Sequence, residues 1–196
     1  MASFGWASAT QLVLRANLAN AGYRLHSCTT TGSCTQLAGP ATNATVEAMA
    51  VSPDGSFVVY SANERGGQYD LYKVASAGGT PVRLAPDAPQ GWRVSIDPVV
   101  SPNGQWVSVL TSGGVIHVLA TSATNTALDP QYAVVMPVAA YNFTFSGDSS
   151  AFGFRADIAV DGKYDVYRLP SFFGANQTPA LVQSAGGGSV TEFTWR

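Results

Sequence analysis

A repeated segment constrains the fold of this chain more than any other feature. Three copies share a serine, a polar turn and a run of β-branched or aromatic residues: VSPDGSFVVY at 51–60, VSPNGQWVSV at 100–109 and FSGDSSAFGF at 145–154. A degenerate fourth copy opens the chain around Ala7, so that equivalent positions recur every 45 to 49 residues. Units of this size cannot bury a core alone, which means that they must stack on their neighbours.

Within each copy the apolar residues alternate with a period of two, which predicts β-strands rather than helices. In the second copy Pro53 presets the backbone of a turn and Gly55 supplies its left-handed position. Each copy has room for four strands. In the third copy, for example, the second strand is predicted at residues 106–110 and the fourth at residues 126–128.

Three motifs of the second copy carry a family resemblance: Ser52-Pro-Asp-Gly55, Asp70-Leu-Tyr72 and Gly78-Gly79. Together they resemble the TolB-type, WD-like β-propeller repeat, and partial matches extend the resemblance over nearly the whole chain. It implies four-stranded blades arranged about a ring. It does not imply one function, because such repeats occur in TolB-like periplasmic proteins and in propellers that precede prolyl-oligopeptidase-type hydrolase domains.

The predicted fold is therefore an all-β propeller with about four four-stranded antiparallel blades and one extra inner strand. The blades are predicted as one domain over 1–196, divided at 1–40, 44–86, 94–130, 138–184 and the start of a fifth at 189–196. The extra strand is Phe193-Thr-Trp195, which is similar to Phe143-Thr-Phe145. This surplus favours a fragment of a larger ring.

Both ends of such an array are expected to have apolar faces without a neighbour. The residues concerned are Phe4, Trp6, Leu12 and Leu14 at one end, and Phe143, Phe152, Phe154 and the Phe193 strand at the other. Exposed apolar patches of that size favour association. We therefore expect these ends either to fray or to support self-association.

Charge and composition exclude several classes of function. The net charge is −2, charged residues make up 11% of the chain, and there are only two lysines. A nucleic-acid surface needs clustered Lys and Arg, so no nucleic-acid partner is expected. No apolar run approaches the ~20 residues that a membrane-spanning helix needs, and no signal peptide is visible, so membrane insertion is not expected.

The two cysteines, Cys28 and Cys34, flank Thr29-Thr-Thr-Gly-Ser33. A turn at Gly32 would bring two strand ends side by side, within the ~7 Å between Cα atoms that a disulfide requires. A disulfide is the favoured interpretation and two buried free thiols the alternative. A disulfide and a low charge content together favour a periplasmic or extracellular location.

Few residues suggest chemistry. Asp54 and Asn103 are interpreted as turn residues, and Asp70 and Asp165 as acceptors for backbone amides of a neighbouring loop. Trp92 lies in a polar loop and is the candidate contact residue. Asp157, Asp161 and Asp165 recur every four residues, but they lack the alternating spacing of a calcium loop.

The two histidines, His26 and His117, lie in strands of different copies and have no partner at catalytic spacing. We therefore expect no catalytic residue, no metal and no cofactor in this chain. The predicted function is a non-catalytic scaffold that binds a protein or peptide. The alternative is a substrate-gating propeller of a prolyl-oligopeptidase-type serine hydrolase with its catalytic domain elsewhere.

Overall fold

A computed structural model of the chain contains sixteen β-strands within the residues that it describes. Those residues are 3–18, 22–38, 45–65, 68–84, 98–111, 116–122, 133–134, 140–158, 163–169, 180–183 and 190. The predicted inner strand at Phe193–Trp195 lies outside this described part.

The described strands form four antiparallel sheets of four strands, each sheet with its strands in chain order. The first sheet contains β1 (Ser3–Ser8), β2 (Gln11–Ala16), β3 (Arg24–Thr29) and β4 (Cys34–Ala38). The second contains β5 (Val46–Val51), β6 (Phe57–Arg65), β7 (Gln68–Ala75) and β8 (Val82–Arg83). The third contains β9 (Val99–Val100), β10 (Trp106–Leu110), β11 (Ile116–Ala120) and β12 (Ala133–Val134). The fourth contains β13 (Ala140–Phe145), β14 (Phe152–Ala156), β15 (Asp165–Leu169) and β16 (Ala180–Gln183). The predicted all-β fold is confirmed.

Strand β6 shows why the sheets stack. Its side chains point alternately into two hydrophobic cores, one on each face of the second sheet. Val58 and Tyr60 belong to the core shared with the first sheet. Phe57 and Val59 belong to the core shared with the third sheet. All four are buried. A strand that is apolar on both faces must lie inside a stack of sheets, since each face removes its side chains from water only against another sheet.

The third core lies between the third and fourth sheets and is the most aromatic. Leu110, Ile116 and Val118 of the third sheet pack there against an aromatic set from the fourth, namely Phe143, Phe145, Phe152, Phe154 and Tyr167. Phe145 and Phe152 meet edge to face with ring centroids 5.2 Å apart, a geometry that aromatic pairs prefer.

This packing corrects one prediction. Phe143, Phe152 and Phe154 do not form an apolar face without a neighbour: their exposed fractions are 5%, 0% and 0%. They point toward the preceding sheet, because the period of two assigns them to the face that contacts β10 and β11. The opposite face of β14 carries Gly153 and Arg155 instead.

The outer strand of the third sheet differs from the predicted one. Strand β11 pairs with Ala133–Val134, where Ile116 lies opposite Val134 and His117 opposite Ala133. This strand follows the predicted boundary at residue 130, and the predicted range 126–128 lies outside the described residues. An outer strand of two residues has too few positions to show a period of two, which is why the sequence pattern did not locate it.

Within the described part of the chain, the four sheets are not closed into a ring. Contacts between sheets instead join consecutive members: β5 lies against β1 and β2, β9 against β5, and β13 against β9. The innermost strand of each sheet is thus the one that approaches its neighbours most closely.

Candidate functional site

In the second, third and fourth sheets, the turn that precedes the second strand is closed by a serine and an Asx residue. In the second sheet the Ser52 hydroxyl donates to Asp54 Oδ1 at 2.6 Å and accepts from the Phe57 N–H at 3.0 Å. The same Asp54 oxygen accepts from the Ser56 N–H at 3.0 Å. The Ser52 bond, followed by those from Ser56, lowers the pKa of Asp54 to about 2. The carboxylate is therefore engaged inside its own turn.

The turn is repeated in the next two sheets. Ser101 donates to Asn103 Oδ1 at 2.7 Å, and Ser146 donates to Asp148 Oδ1 at 2.6 Å. The Ser146 bond is the largest cause that lowers the pKa of Asp148 to about 2. Because a neutral asparagine makes the same bond, the turn needs an acceptor oxygen and not a charge. The geometry thus agrees with the structural role that the sequence analysis gives Asp54 and Asn103.

These turns also contact neighbouring sheets. A Cβ atom at Gly55 would lie 1.8 Å from the carbonyl oxygen of Ala7 in the first sheet. In the third sheet the Asn103 N–H donates to Ser149 Oγ of the fourth at 3.1 Å. The row of turns, defined by Ser52–Ser56, Ser101–Gln105 and Ser146–Ser150, is therefore part of the stacking contact.

Charged residues gather where the third strands begin. Asp70 is fully buried and lies 3.3 Å from Arg83 Nη2 of the outer strand β8, and the Tyr72 hydroxyl lies 3.4 Å from its other oxygen. The equivalent Asp165 lies 3.9 Å from Lys163 Nζ. The sequence analysis expected backbone amides as partners of these aspartates and did not foresee the cationic ones. The sequence places Arg83 in the outer strand, but its local pattern does not give the register that sets Arg83 opposite Tyr72 and beside Asp70.

A second repeated contact joins one sheet to the start of the next. Arg15 stacks on the Tyr23 ring at 4.6 Å and donates to the Val46 carbonyl at 3.3 Å, while the Val46 N–H donates to the Tyr23 carbonyl at 2.9 Å. In the fourth sheet Arg155, Tyr164 and Val190 repeat this set at 5.1, 3.0 and 2.8 Å. Val190 therefore meets the fourth sheet as the first residue of β5 meets the first sheet.

The histidines lie in separate sheets. His117 is 9% exposed on β11, and burial lowers its pKa to about 4. The pKa of His26 on β3 is also lowered, chiefly by burial, although a hydrogen bond that the ring makes to the Ala16 backbone raises it. Burial of this kind favours a neutral ring at neutral pH, which fits a packed strand residue better than a proton-transfer site.

The remaining candidate residues of the sequence analysis add no further site within the described part of the chain. Among the described residues no three His, Cys, Asp or Glu side chains are grouped so that they could hold a metal ion. Asp161 of the aspartate series and the candidate contact residue Trp92 lie outside the described part. The same described residues include no helix long and apolar enough to cross a membrane.

The first sheet carries two strongly exposed aromatic residues. Phe4 is 68% exposed and Trp6 is 56% exposed, both on the side of β1 away from the second sheet. Leu14 lies opposite Phe4 and Leu12 opposite Trp6. We call these four residues the aromatic face. The expectation of an apolar face without a neighbour at this end agrees with these exposures.

Corresponding positions in later sheets are buried or half-buried. Met49, Phe143 and Phe145 occupy the places of Phe4 or Trp6 in the second and fourth sheets, and they are 6%, 5% and 4% exposed. In those sheets a preceding sheet covers the side chains. The aromatic face thus has the composition of a covered surface without a cover among the described residues.

The predicted disulfide between Cys28 and Cys34 is confirmed. It joins directly opposed positions of β3 and β4, with Cα atoms 4.1 Å apart. Leu12 pairs with Cys28 on one side and with Trp6 on the other. The disulfide is therefore in the same row of the sheet as Trp6 and ties the outer strand to that row.

Comparisons with known proteins support the architecture. No protein-family model and no curated protein matches this sequence. Among solved structures, a TolB-like protein from Agrobacterium tumefaciens is similar at 18% identity with a TM-score of 0.61, covering 96% of this chain and 64% of its own. The tricorn protease is similar at 15% identity and a TM-score of 0.61, over 85% of this chain and 17% of its own. At these identities the likeness shows a β-propeller fold alone.

Proposed function

We propose that this chain is a non-catalytic propeller scaffold that binds a protein or a peptide. The observation that carries the proposal is the aromatic face, where Phe4 and Trp6 are more than half exposed at positions that other sheets bury. Large exposed apolar patches on soluble proteins mark interaction sites, and aromatic side chains dominate the energy of protein interfaces. The chain has few charged residues, so an electrostatic role does not explain why these aromatic side chains are exposed.

The disulfide supports a proposal for the compartment. A bond between Cys28 and Cys34 is stable where the environment is oxidising, as in the periplasm or outside the cell. The likeness to a TolB-like protein supports the same class of role. We therefore propose a periplasmic or extracellular binding protein that uses neither a cofactor nor a metal.

A photo-cross-linking experiment tests this proposal. Benzoylphenylalanine would replace Phe4 in the protein expressed in its native host, and Thr31 on the exposed hairpin would carry the same probe as a control. We expect position 4 to yield one discrete cross-linked polypeptide and position 31 to yield none. Cross-links that are equally diffuse at both positions would contradict the binding role of the aromatic face.

A second function is supported by the likeness to the tricorn protease, in which the similar region is 17% of the chain. In this alternative the propeller admits substrates to a serine hydrolase domain. A fluorophosphonate probe applied to the native protein, isolated with an antibody against this chain, separates the two proposals. Covalent labelling of the polypeptide that contains this chain would favour the hydrolase, whereas its absence alongside a labelled control hydrolase would favour the scaffold.

A further inference from the structure

A groove between the second and third sheets contains a cation and several hydroxyl groups. Its volume is about 190 Å³, and its walls include Lys73, Ala75, Thr80, Val82, Thr121 and Ser122. The groove runs beside the outer strand β8, near the turn that follows β11. It is distant in the stack from the aromatic face, since that face points away from the second sheet.

The ammonium group of Lys73 is held in place by two contacts. Its Nζ donates to the Thr121 carbonyl at 3.0 Å and lies 4.3 Å from the centroid of the Phe57 ring. An ammonium group has three donors, and the carbonyl uses one of them. Lys73 is half-buried, so the geometry fixes a positive charge at the wall of the groove with donors to spare.

Two other cationic side chains of the fold each lie beside a carboxylate. Arg83 lies 3.3 Å from Asp70, and Lys163 lies 3.9 Å from Asp165. Among the described residues Lys73 has no carboxylate within ion-pair distance. A half-buried cation is most stable with a negative partner, because burial weakens its hydration. The groove is thus arranged for an anion that the described residues do not supply.

We propose that this groove binds a carboxylate of a partner peptide, either an acidic side chain or a C-terminal carboxylate. A volume of about 190 Å³ is smaller than that of ordinary cofactor pockets and suits one side chain. Ala75 and Val82 offer apolar contact to the carbon atoms beside the carboxylate. Phosphate is less suited, because one lysine among the described walls opposes its two charges.

The inference rests on the proposed binding function and names part of its chemistry. Its test uses small probes and amide chemical shifts of the isotope-labelled full chain. The probes are acetyl-Ala-Asp-amide, acetyl-Ala-Asn-amide, acetyl-Ala-Ala with a free carboxylate, and inorganic phosphate. We expect one or both carboxylate peptides to shift the Ala75 and Ser122 amides, and the asparagine peptide to leave them unchanged. The peptide that shifts these amides shows whether the groove binds an acidic side chain or a C-terminal carboxylate.

Lys73→Met keeps an unbranched side chain over Phe57 and removes the charge. A charged hydrogen bond contributes roughly 1.5–3 kcal/mol, so we expect carboxylate affinity to fall about tenfold or more. Because Lys73 also holds Thr121, a second variant combines Thr80→Val with Ser122→Ala and leaves that contact intact. This variant is expected to bind the carboxylate a few-fold more weakly with an unchanged melting temperature.

Three results would overturn the proposal: no shift in the wild-type chain with either carboxylate, equal shifts with the asparagine peptide, or phosphate binding as tight as carboxylate binding. Unchanged affinity in a folded Lys73→Met variant would do the same. None of these results depends on cross-linking through Phe4. Failure of the carboxylate site and failure of the scaffold function can therefore be distinguished.

Discussion

Ser149 illustrates how one side chain offsets a backbone conformation that its residue type disfavours. Its φ is 60°, and the equivalent positions in the two preceding turns are glycines with φ of 73° and 71°. A non-glycine residue in this region costs roughly 1 kcal/mol. The Ser149 hydroxyl accepts a hydrogen bond from the Asn103 N–H of the neighbouring sheet, which Gly55 and Gly104 cannot do.

Two substitutions at Ser149 separate these effects. Ser149→Ala keeps the backbone strain and loses the hydrogen bond, so we expect it to lower the free energy of unfolding by about 1–2 kcal/mol. Ser149→Gly loses the bond but relieves the strain, and its net effect should stay within about 1 kcal/mol. Urea denaturation of both variants measures the difference. A glycine variant less stable than the alanine variant would contradict this account.

His117 predicts a pH dependence. Its pKa in the folded chain is lowered to about 4 by burial, whereas the exposed ring of the unfolded chain titrates near its ordinary 6.5. Between these values the unfolded state binds the extra proton, so the stability that the neutral ring contributes is present above pH 6.5 and is lost as the pH falls toward 4. The loss should be on the order of 1–3 kcal/mol.

His117→Gln should flatten this part of the stability curve when unfolding is followed by urea at several pH values. His26→Gln serves as the matched control, because His26 is less buried than His117. A wild-type curve that is flat from pH 6.5 to pH 4 would show that His117 is protonated in the folded chain.

At the scale of elements, the strands near the turn were the most predictable from sequence, and the outer strand of the third sheet was the least. The range 106–110 predicted for the second strand of the third copy is that of β10. Its serine, Asx residue and glycine define the turn, and the alternating apolar residues define the strand. Strand β12 has only two residues, and its pairing depends on contacts with distant parts of the chain that local patterns do not encode.

The two turn glycines offer a comparison at this scale. Both have positive φ, but a Cβ at Gly55 would clash with the Ala7 carbonyl, whereas one at Gly104 would meet only Phe57 Cε1 at 3.8 Å. Gly104→Ala is thus expected to cost about 1 kcal/mol from backbone strain. Gly55→Ala should cost at least about 1 kcal/mol more, because the first and second sheets must separate.

Thermal denaturation of the two variants under the same conditions tests the contact between sheets. Gly55→Ala should also increase hydrogen exchange at amides of β1 and β2, while Gly104→Ala should not. Equal melting temperatures for the two variants would mean that the first sheet does not rest on the second as the structure shows.

At the scale of the whole molecule, stability depends on which faces are covered. Each core lies between two consecutive sheets, so the stack behaves as a series of nearest-neighbour contacts. The aromatic face is the exposed surface of this series. Its apolar side chains could be listed from the sequence, yet the sequence assigned the phenylalanines of the fourth sheet to the wrong face, because alternation alone does not say which side of a strand meets which neighbour.

A matched pair of substitutions tests the exposure of the aromatic face. Phe4 and Phe143 hold equivalent positions but are 68% and 5% exposed. We expect Phe4→Ser to change the free energy of unfolding by less than about 0.5 kcal/mol. Phe143→Ser should cost about 3–5 kcal/mol. Denaturation should be repeated at several protein concentrations, since a concentration-dependent loss in Phe4→Ser would show that a second copy covers the face.

The candidate sites differ in how much of each could be predicted from the sequence. The disulfide and the turn residues follow from local spacing. The Lys73 groove does not, because its walls come from β7, the edge of the second sheet and residues 121–122 of the third, which only stacking brings together. The pairing of Asp70 with Arg83 was missed because it depends on the register between β7 and β8, which local patterns do not encode.

The paired contacts of Arg15 with Val46 and of Arg155 with Val190 have a consequence for how such repeats evolve. The first and fourth sheets make this joint through side chains that lie inside one copy of the repeat and a backbone carbonyl that any residue provides. A gene duplication of either copy would therefore carry its own joint with it. Recombination at these two junctions can lengthen or shorten the chain by a whole sheet without a compensating mutation there.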